Sequence, residues 1–261
     1  MSLPDQPLIP QEAVAESEGR LAPSPWPCRL AAFGAGWGAF VVTGSAIIEP
    51  TPNNLAILIA TALSGLYTFA LYAARRFWLP LLARRPLRNA TLLGIFNAAL
   101  IEGIFLLIEH LMGAQGVAAH PNLLIDLLLT MPWYTLMVIT FVRVQHRRRF
   151  DLGIVLLLGA VYETGADGIV GSAAGLAFGD FQLLTPAYWL QLGLMFFWAF
   201  IPVYSAMVLP PALLVNAAPL PDDPPSAVPA WLDALRPLLW LAPFVAYLLI
   251  VILILSAFNP S

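Results

Sequence analysis

The sequence predicts an all-α protein, a polytopic transmembrane helical bundle of about seven spans. Of the 261 residues, 60% are hydrophobic and only 10% are charged, which is far more apolar than a soluble domain of this length. Apolar windows of about 20 residues, enough to cross a hydrocarbon core of about 30 Å, recur between polar or proline-rich breaks. The windows are 29–48, 55–74, 90–112, 122–143, 152–173, 186–209 and 236–258.

The chain divides into four regions on this basis. Segment 1–27 is polar, acidic and proline-rich, without the basic start and apolar core of a cleaved signal, so we expect a disordered cytoplasmic tail. We expect an additional first helix in 28–54, a core of five helices in 55–214, and a linker with a last helix in 215–261. The first and last helices carry few polar residues and are predicted to be scaffold.

The arginines predict the orientation of the bundle. They cluster in the second and fourth loops and are absent from the first, third and fifth, and short arginine-rich loops stay in the cytoplasm. We therefore expect the N-terminus inside and the C-terminus outside. All twelve basic residues are arginine, which is typical of a GC-rich bacterial genome, so a bacterial inner membrane is predicted. The loop arginines are Arg75, Arg76, Arg84, Arg85, Arg88, Arg143, Arg147, Arg148 and Arg149.

Several function classes are disfavoured. The net charge is -3 and no basic run is interleaved with aromatic residues, so no nucleic-acid surface is expected. The single cysteine, Cys28, cannot form an internal disulfide. The chain has no GxSxG motif and no glycine-rich phosphate loop, which argues against hydrolysis by a nucleophile. No cofactor is expected.

Acidic side chains inside the spans are the informative residues. An ionisable group at mid-membrane costs about 3 kcal/mol, and such groups usually face the bundle interior and serve function. Glu102 and Glu163 are predicted near the midplane, from their positions within the third and fifth spans at about 1.5 Å per residue. Asp126, Asp167 and Gln191 are predicted above them, in the half of the bilayer away from the arginines.

Aromatic residues share faces with these polar groups. Trp133 follows Asp126 at i+7, and Trp198 follows Gln191 at i+7, so each pair projects from one side of its helix. Trp133 and the adjacent Tyr134 are equally compatible with core packing or an aromatic belt. Glu109 and His110, at the end of the third span, are compatible with polar residues at headgroup level.

A cluster of buried carboxyl groups supports three kinds of chemistry. In a low dielectric the groups rarely ionise together, so one can remain a general acid while another is an ionised base. A metal could instead be held by Glu102, Asp126, Glu163 and His110, but no paired ExxH spacing exists, and we predict no metal. A proton or ion relay in a transporter is the third reading, and the absence of an inverted repeat disfavours it.

Four stretches resemble the emopamil-binding-protein superfamily, whose EXPERA domain includes the delta8-delta7 sterol isomerase and the sigma-2 receptor. Their order and spacing fit the family across about 55–210. The stretches are "IFNAALIEGIFLLIEH", "DLLLTMPWYTLMVITFVRVQHRRRF", "VYETGADGI" and "PAYWLQLGLMFFWAFIP". The resemblance implies that the five-helix core encloses a hydrophobic pocket, open to the membrane, for a sterol-like or cationic amphiphilic ligand.

The resemblance also implies roles for individual residues. Glu102 matches the glutamate of the family's IEG motif, Asp126 its acid before a proline, and Trp198 the tryptophan against the ligand's cationic centre. The family's histidine and asparagine positions carry Ala98 and Met195, which favours the binding branch, whereas the additional acids of the fifth span favour catalysis. The residues expected to contact substrate are Trp198, Asn97, Trp133, Tyr162, Asp167, Gln191 and Met195.

These observations predict an intramembrane isomerase that shifts a double bond in a sterol, hopanoid or isoprenoid lipid through a carbocation. Glu102 and Asp126 are the predicted acid/base pair, Glu163 is auxiliary, and Trp198 stabilises the cation. The alternative is a non-enzymatic lipid-binding or trafficking protein of the sigma-2 type. The expected partners are the lipid and the membrane, and a homodimer is left open.

Overall fold

A computed structural model describes residues 25–171, 184–219 and 228–258. Within these ranges the chain is helical without strands, and seven helices are long and apolar enough to cross a membrane. The prediction of a polytopic helical bundle is confirmed, whereas most of the predicted disordered tail lies outside the described residues. Spans one to seven are Pro25–Ile48, Pro52–Ala73, Pro86–Met112, Leu123–Arg148, Leu152–Val170, Pro186–Asn216 and Arg236–Ile254.

Spans five to seven are composite helices. Span five is α-helical over Leu152–Glu163 and continues as a π-helix over Thr164–Gly171. Span six has a π-helical segment, Leu192–Phe196, between two α-helical ones, and span seven begins with a 3-10 turn. The two α-helical segments of span six are Pro186–Gln191 and Phe197–Asn216, and span seven consists of the 3-10 turn Arg236–Trp240 and the α-helix Leu241–Phe258. Two short helices lie outside the spans, Arg75–Leu82 and Ala230–Ala234.

The helix ends have local causes in the sequence. Spans two, three and six begin with a proline, whose missing N–H would be unsatisfied at that position anyway. Asn122 caps span four by accepting from the N–H groups of Leu124 and Ile125. Span three ends at Met112 and is capped by Gly113, which adopts a left-handed φ of 64° that glycine tolerates without steric cost.

Span six is the central helix of the bundle. Its segment Val203–Asn216 is buried throughout, and it packs against spans one to five. A helix that is apolar on all sides is stable only when other helices surround it or lipid does. Gly94 of span three and Gly159 of span five lie against span six at positions where a side chain would meet it. The other spans are thus arranged around span six.

Spans one and seven take different places. Span one packs closely against span six, because Gly38 lies against the span-six backbone and Gly34 leaves room for the Trp198 ring. Span seven covers span four from outside: the rings of Phe244 and Trp133 lie 6.0 Å apart, and the Tyr247 hydroxyl donates to the carbonyl of Leu128 at 2.7 Å. Of the two helices predicted to be scaffold, only span seven lies at the periphery of the bundle.

Candidate functional site

A cavity of about 370 Å³ lies between spans one, two, three, five and six. It extends from Glu102, at the middle of span three, to Asn54 in the first turn of span two and Val117 in the loop after span three, at the end of the bundle opposite the arginine clusters. This loop meets the start of span two directly, since Asn53 and Gln115 exchange hydrogen bonds of 2.8 and 3.0 Å. The cavity therefore occupies one half of the membrane-spanning region, the half in which the sequence concentrates its acids.

Glu102 faces this cavity, and Asp126 lies behind it. The two carboxyl groups are neighbours, with no direct hydrogen bond between them. Asp126 is fully buried and absent from the cavity wall, with Oδ1 accepting from the His120 N–H at 3.1 Å. Asp126 Oδ2 is buried and has no hydrogen-bond partner in the described part of the chain.

Two buried tyrosines connect Glu102 to the opposite wall. The hydroxyl of Tyr134, from span four, donates to Glu102 Oε1 at 2.5 Å. The same hydroxyl lies 2.6 Å from that of Tyr204, from span six, and either oxygen can donate in this second bond. Tyr204 itself lines the cavity. The two side chains are 1% and 2% exposed, so no bulk water competes for these hydrogen bonds.

A second pair of carboxyl groups lies beside Tyr204. Glu163 and Asp167 of span five both line the cavity, and the Glu163 carboxyl interacts with both Asp167 and the Tyr204 hydroxyl. Glu163 is 1% exposed, and its Oε2 has no hydrogen-bond partner among the described residues. Each side of the Tyr134–Tyr204 link thus carries one cavity-facing glutamate and a second acid.

Glu163 and Asp167 lie where the α-helical part of span five passes into the π-helical segment Thr164–Gly171. The two acids are four residues apart and therefore share one face of the span. The facing π-helical segment of span six, Leu192–Phe196, packs against it, and the Tyr188 hydroxyl donates to the Gly168 carbonyl. Such irregular turns are often found at functional sites.

Aromatic rings form much of the remaining cavity wall. Phe196, Phe200 and Tyr204 follow one another at intervals of four along span six, with ring centroids 6.5 and 6.4 Å apart. Phe105 and Tyr188 complete this apolar wall. No basic side chain lines the cavity within the described ranges. An apolar hollow with a few acids and no cation is suited to an apolar ligand that becomes positively charged.

The structure brings together some of the predicted site residues. Glu102, Glu163 and Asp167 share the cavity, and Asp126 contacts Glu102 from behind. The prediction that Glu102 and Asp126 act on substrate as a pair needs correction, because Asp126 has no surface on the cavity. The second acid facing the ligand space is Glu163, which we had predicted to be auxiliary.

Trp198 is not at the cavity. Its ring packs on Gly34 and lies edge-on to Phe33, both in span one, so it cannot serve as the predicted platform beside Glu102. The π-helical segment just before it changes the rotation of span six, and the expected α-helical spacing from Gln191 no longer holds. Phe200 faces the cavity instead.

The other predicted substrate contacts also lie elsewhere. Trp133 is buried against Phe244 of span seven, and the Tyr162 hydroxyl donates to the Ala234 carbonyl at 2.8 Å. Asn97 joins spans two, three and six, accepting from the Tyr67 hydroxyl at 2.8 Å and donating to the Ala206 carbonyl at 2.7 Å. These three residues hold helices together. Gln191 and Met195 are exposed on the outside of span six and do not line the cavity.

Sequence reasoning missed Tyr204, span one and the role of Tyr134. A phenol hydroxyl in an apolar helix must find a hydrogen-bond partner, and this requirement marks both tyrosines as polar residues of the bundle core. Span one contributes Val41, Val42 and Ser45 to the cavity wall, although we predicted it to be scaffold outside a five-helix core. No sequence signal identified that contribution.

Glu109 has a structural task at the cavity edge. Its Oε2 accepts from the N–H groups of Val117 and Ala118 at 2.8 and 2.6 Å, which holds the loop after span three over the end of the cavity. The His110 ring contacts the Leu106 carbonyl of its own helix at 2.8 Å. Within the described ranges, no three His, Cys, Asp or Glu side chains come together in a way that could hold a metal ion.

Comparisons with known proteins identify no family for this chain. No protein-family model, no curated protein and no solved structure matches it. The function must therefore be argued from the geometry of the cavity and its acids.

Proposed function

We propose that this protein is an intramembrane isomerase that shifts a carbon–carbon double bond in a sterol or isoprenoid-like lipid. One observation carries the proposal: two acids from different spans, Glu102 and Glu163, face one largely apolar cavity inside the bundle. A carboxyl group in an apolar site retains a proton readily, and a second one nearby can remain ionised. The cavity thus offers both a general acid and a general base to an apolar molecule.

The reaction needs these two groups in different protonation states. A protonated carboxyl adds its proton to one carbon of the double bond, and the π electron pair forms the new C–H bond. A carbocation remains on the neighbouring carbon. An ionised carboxylate then removes a proton from the carbon next to the cation, and that C–H electron pair becomes the new double bond. The lipid gains and loses one proton, so its composition is unchanged.

The aromatic wall supports the charged intermediate. A cation over an aromatic face is stabilised by about 2 kcal/mol when water is excluded, and an ionised carboxylate in the same cavity adds to this. Phe200, with Phe196 and Tyr204 on either side, occupies the position for which we had predicted Trp198. The absence of basic side chains from the described cavity wall fits this chemistry, since a fixed cation would oppose it.

The ligand class and the membrane follow from the same features. A cavity of about 370 Å³ falls within the usual range for small-molecule sites, about 300–1,000 Å³. We propose a relationship to the EXPERA-domain superfamily on the motifs around Glu102, Asp126 and Glu163, and a bacterial inner membrane with the N-terminus inside on the distribution of arginine.

The proposal is tested by incubating the protein, reconstituted in lipid nanodiscs, with unsaturated sterols, hopanoids and isoprenoids in deuterated water. Isomerised product containing deuterium is expected with the wild type. Glu102→Gln and Glu163→Gln are each expected to lose the product, because glutamine neither donates an acidic proton nor accepts one. The matched control is Asp151→Asn, a helix cap at the start of span five that asparagine can replace.

Two outcomes would contradict catalysis. Isomerisation that survives both glutamate substitutions would remove the acids from the reaction. Tight lipid binding by the wild type, with no isomer and no deuterium uptake, would favour the alternative of a lipid-binding protein of the sigma-2 type.

A further inference from the structure

Two phenol hydroxyls lead from Glu102 towards Glu163. Glu102 Oε1 and the Tyr134 hydroxyl are 2.5 Å apart, and the Tyr134 and Tyr204 hydroxyls are 2.6 Å apart. Tyr204 and Glu163 are neighbours in the cavity wall, and Glu163 Oε2 has no hydrogen-bond partner among the described residues. The hydroxyls therefore lead from Glu102 to the part of the wall that holds Glu163, through tyrosines that are almost fully buried.

This chain can be polarised in two ways. Each phenol has one proton, so Tyr134 cannot donate to both Glu102 and Tyr204. When Tyr134 donates to an ionised Glu102, Tyr204 must donate to Tyr134, and Tyr204 can then accept from a protonated Glu163. When Glu102 is protonated it can donate to Tyr134, and the whole chain points the other way, towards an ionised Glu163. The two arrangements differ by one proton at each end.

The proposed reaction requires an interconversion of this kind. After one double-bond shift, the acid that donated is one proton short and the carboxylate that accepted holds one too many. Both groups lie in a cavity whose wall is mostly apolar. A catalyst that cannot restore the starting state performs one reaction and stops.

We propose that Tyr134 and Tyr204 form a proton wire that returns the proton between Glu163 and Glu102 after each turnover. The inference rests on the proposed isomerase function and adds an internal reset to it.

The reset conserves protons and involves no other reactant. If Glu163 accepted the proton from the lipid, its O–H proton passes to the Tyr204 oxygen as the Tyr204 proton passes to Tyr134. The Tyr134 proton then passes to the ionised Glu102, so that Glu163 ends ionised and Glu102 protonated. No electron is gained or lost, and both phenols are regenerated. The mirror sequence applies if Glu102 is the base.

A kinetic test uses Tyr134→Phe and Tyr204→Phe, which remove one hydroxyl each and keep the ring. The wire is not needed for the first reaction, so both variants should release a burst of about one product per protein at the wild-type rate. Later turnovers should be about 10²-fold slower, the usual contribution of a positioned proton-transfer group. The double variant should be no slower than either single one, because both residues serve one chain.

The matched control is Tyr67→Phe, which removes a partly buried hydroxyl outside the chain. It should show no burst and no loss of steady-state rate. Equal slowing of the first and later turnovers in the wire variants would mean that the tyrosines act only on structure, and unchanged steady-state rates would overturn the wire directly.

A second measurement needs no substrate. Infrared spectra in light and heavy water resolve the C=O bands of buried protonated carboxyl groups. The band of Glu102 is the one that Glu102→Gln removes. Glu163→Gln alone should shift this band, because the proposed wire couples the two glutamates. The shift should vanish in a Tyr134→Phe background. If the Glu102 band keeps its frequency in a folded Glu163→Gln variant, the wire is overturned, even if isomerisation is observed. A wild type without product but with coupled bands overturns only the isomerase.

Discussion

Buried acids occur in two contrasting settings in this protein. At the arginine-rich end, Asp233 is 2% exposed and lies between two cations: Arg148 Nε donates to its Oδ2 at 2.6 Å, and Arg236 Nε lies 2.7 Å from its Oδ1. In the cavity half, Glu102 and Glu163 have acids and phenols as partners, with no basic side chain on the described wall. The same chemical group is surrounded by cations at one end and by further acids at the other.

Under the proposed function, the difference separates structural acids from reactive ones. The charge pairs of Asp233 tie the short helix Ala230–Ala234 to the end of span four. The acids of the cavity half have no cation beside them on the described wall, and in the proposed reaction they exchange a proton with the lipid. The first arrangement stabilises a fold, whereas the second has a cavity beside it and a means of changing state.

The largest expected effect, a loss of turnover, comes from replacing an acid of the cavity wall. Glu102→Gln should lower turnover about 10²- to 10⁴-fold, because a general acid or base is lost. The melting temperature should stay within a few degrees of the wild type, since the amide can still accept from Tyr134. Product formation and thermal unfolding in detergent measure the two quantities. A collapse in stability would place Glu102 with the structural acids instead.

The opposite result is expected at the arginine-rich end. Arg148→Met should cost about 3 kcal/mol of stability, because it leaves Asp233 buried with one cation removed. Turnover per folded molecule should be unchanged. Arg147→Met is the matched control: Arg147 is exposed, and its replacement should change stability by less than about 0.5 kcal/mol. Equal destabilisation by the two variants would remove the distinction between the two ends.

Span one provides a test of how far the cavity region extends. Gly34→Leu should cost about 1–3 kcal/mol and disturb the wall formed by spans one and six, because a side chain there overlaps the Trp198 ring. Gly36→Leu, on the exposed face of the same helix, meets nothing within 4 Å and should be neutral. Thermal unfolding and lipid binding check both variants. If binding survives in a folded Gly34→Leu protein, span one is scaffold, as first predicted.

The smallest effect is expected at Glu109, a buried acid of a third kind. Glu109→Gln should cost about 1 kcal/mol, because a carboxylate accepts from two backbone N–H groups more strongly than an amide does. The loop over the cavity should become more mobile, which hydrogen exchange at Val117 and Ala118 measures. Unchanged protection at both amides would show that packing, and not the carboxylate, holds the loop.

Much of this architecture was predictable because lipid restricts the choices. A span needs about 20 apolar residues whatever surrounds it, so all seven helices were found from windows of composition. Their ends were less accurate: span four continues to Arg148 and span six to Asn216, since a helix need not stop where the apolar window stops. The depth of the acids along their spans was also predictable, and Glu102 and Glu163 do line one cavity.

The sequence by itself determined the number of spans and the half of the bundle that holds the acids, because both depend on counting residues along single helices. Only the tertiary structure decided which acids face the cavity and which tyrosines join them. That choice depends on the rotation of each helix about its axis. The π-helical turn in span six changes this rotation, so that Phe200 lies at the cavity while Trp198 packs on span one.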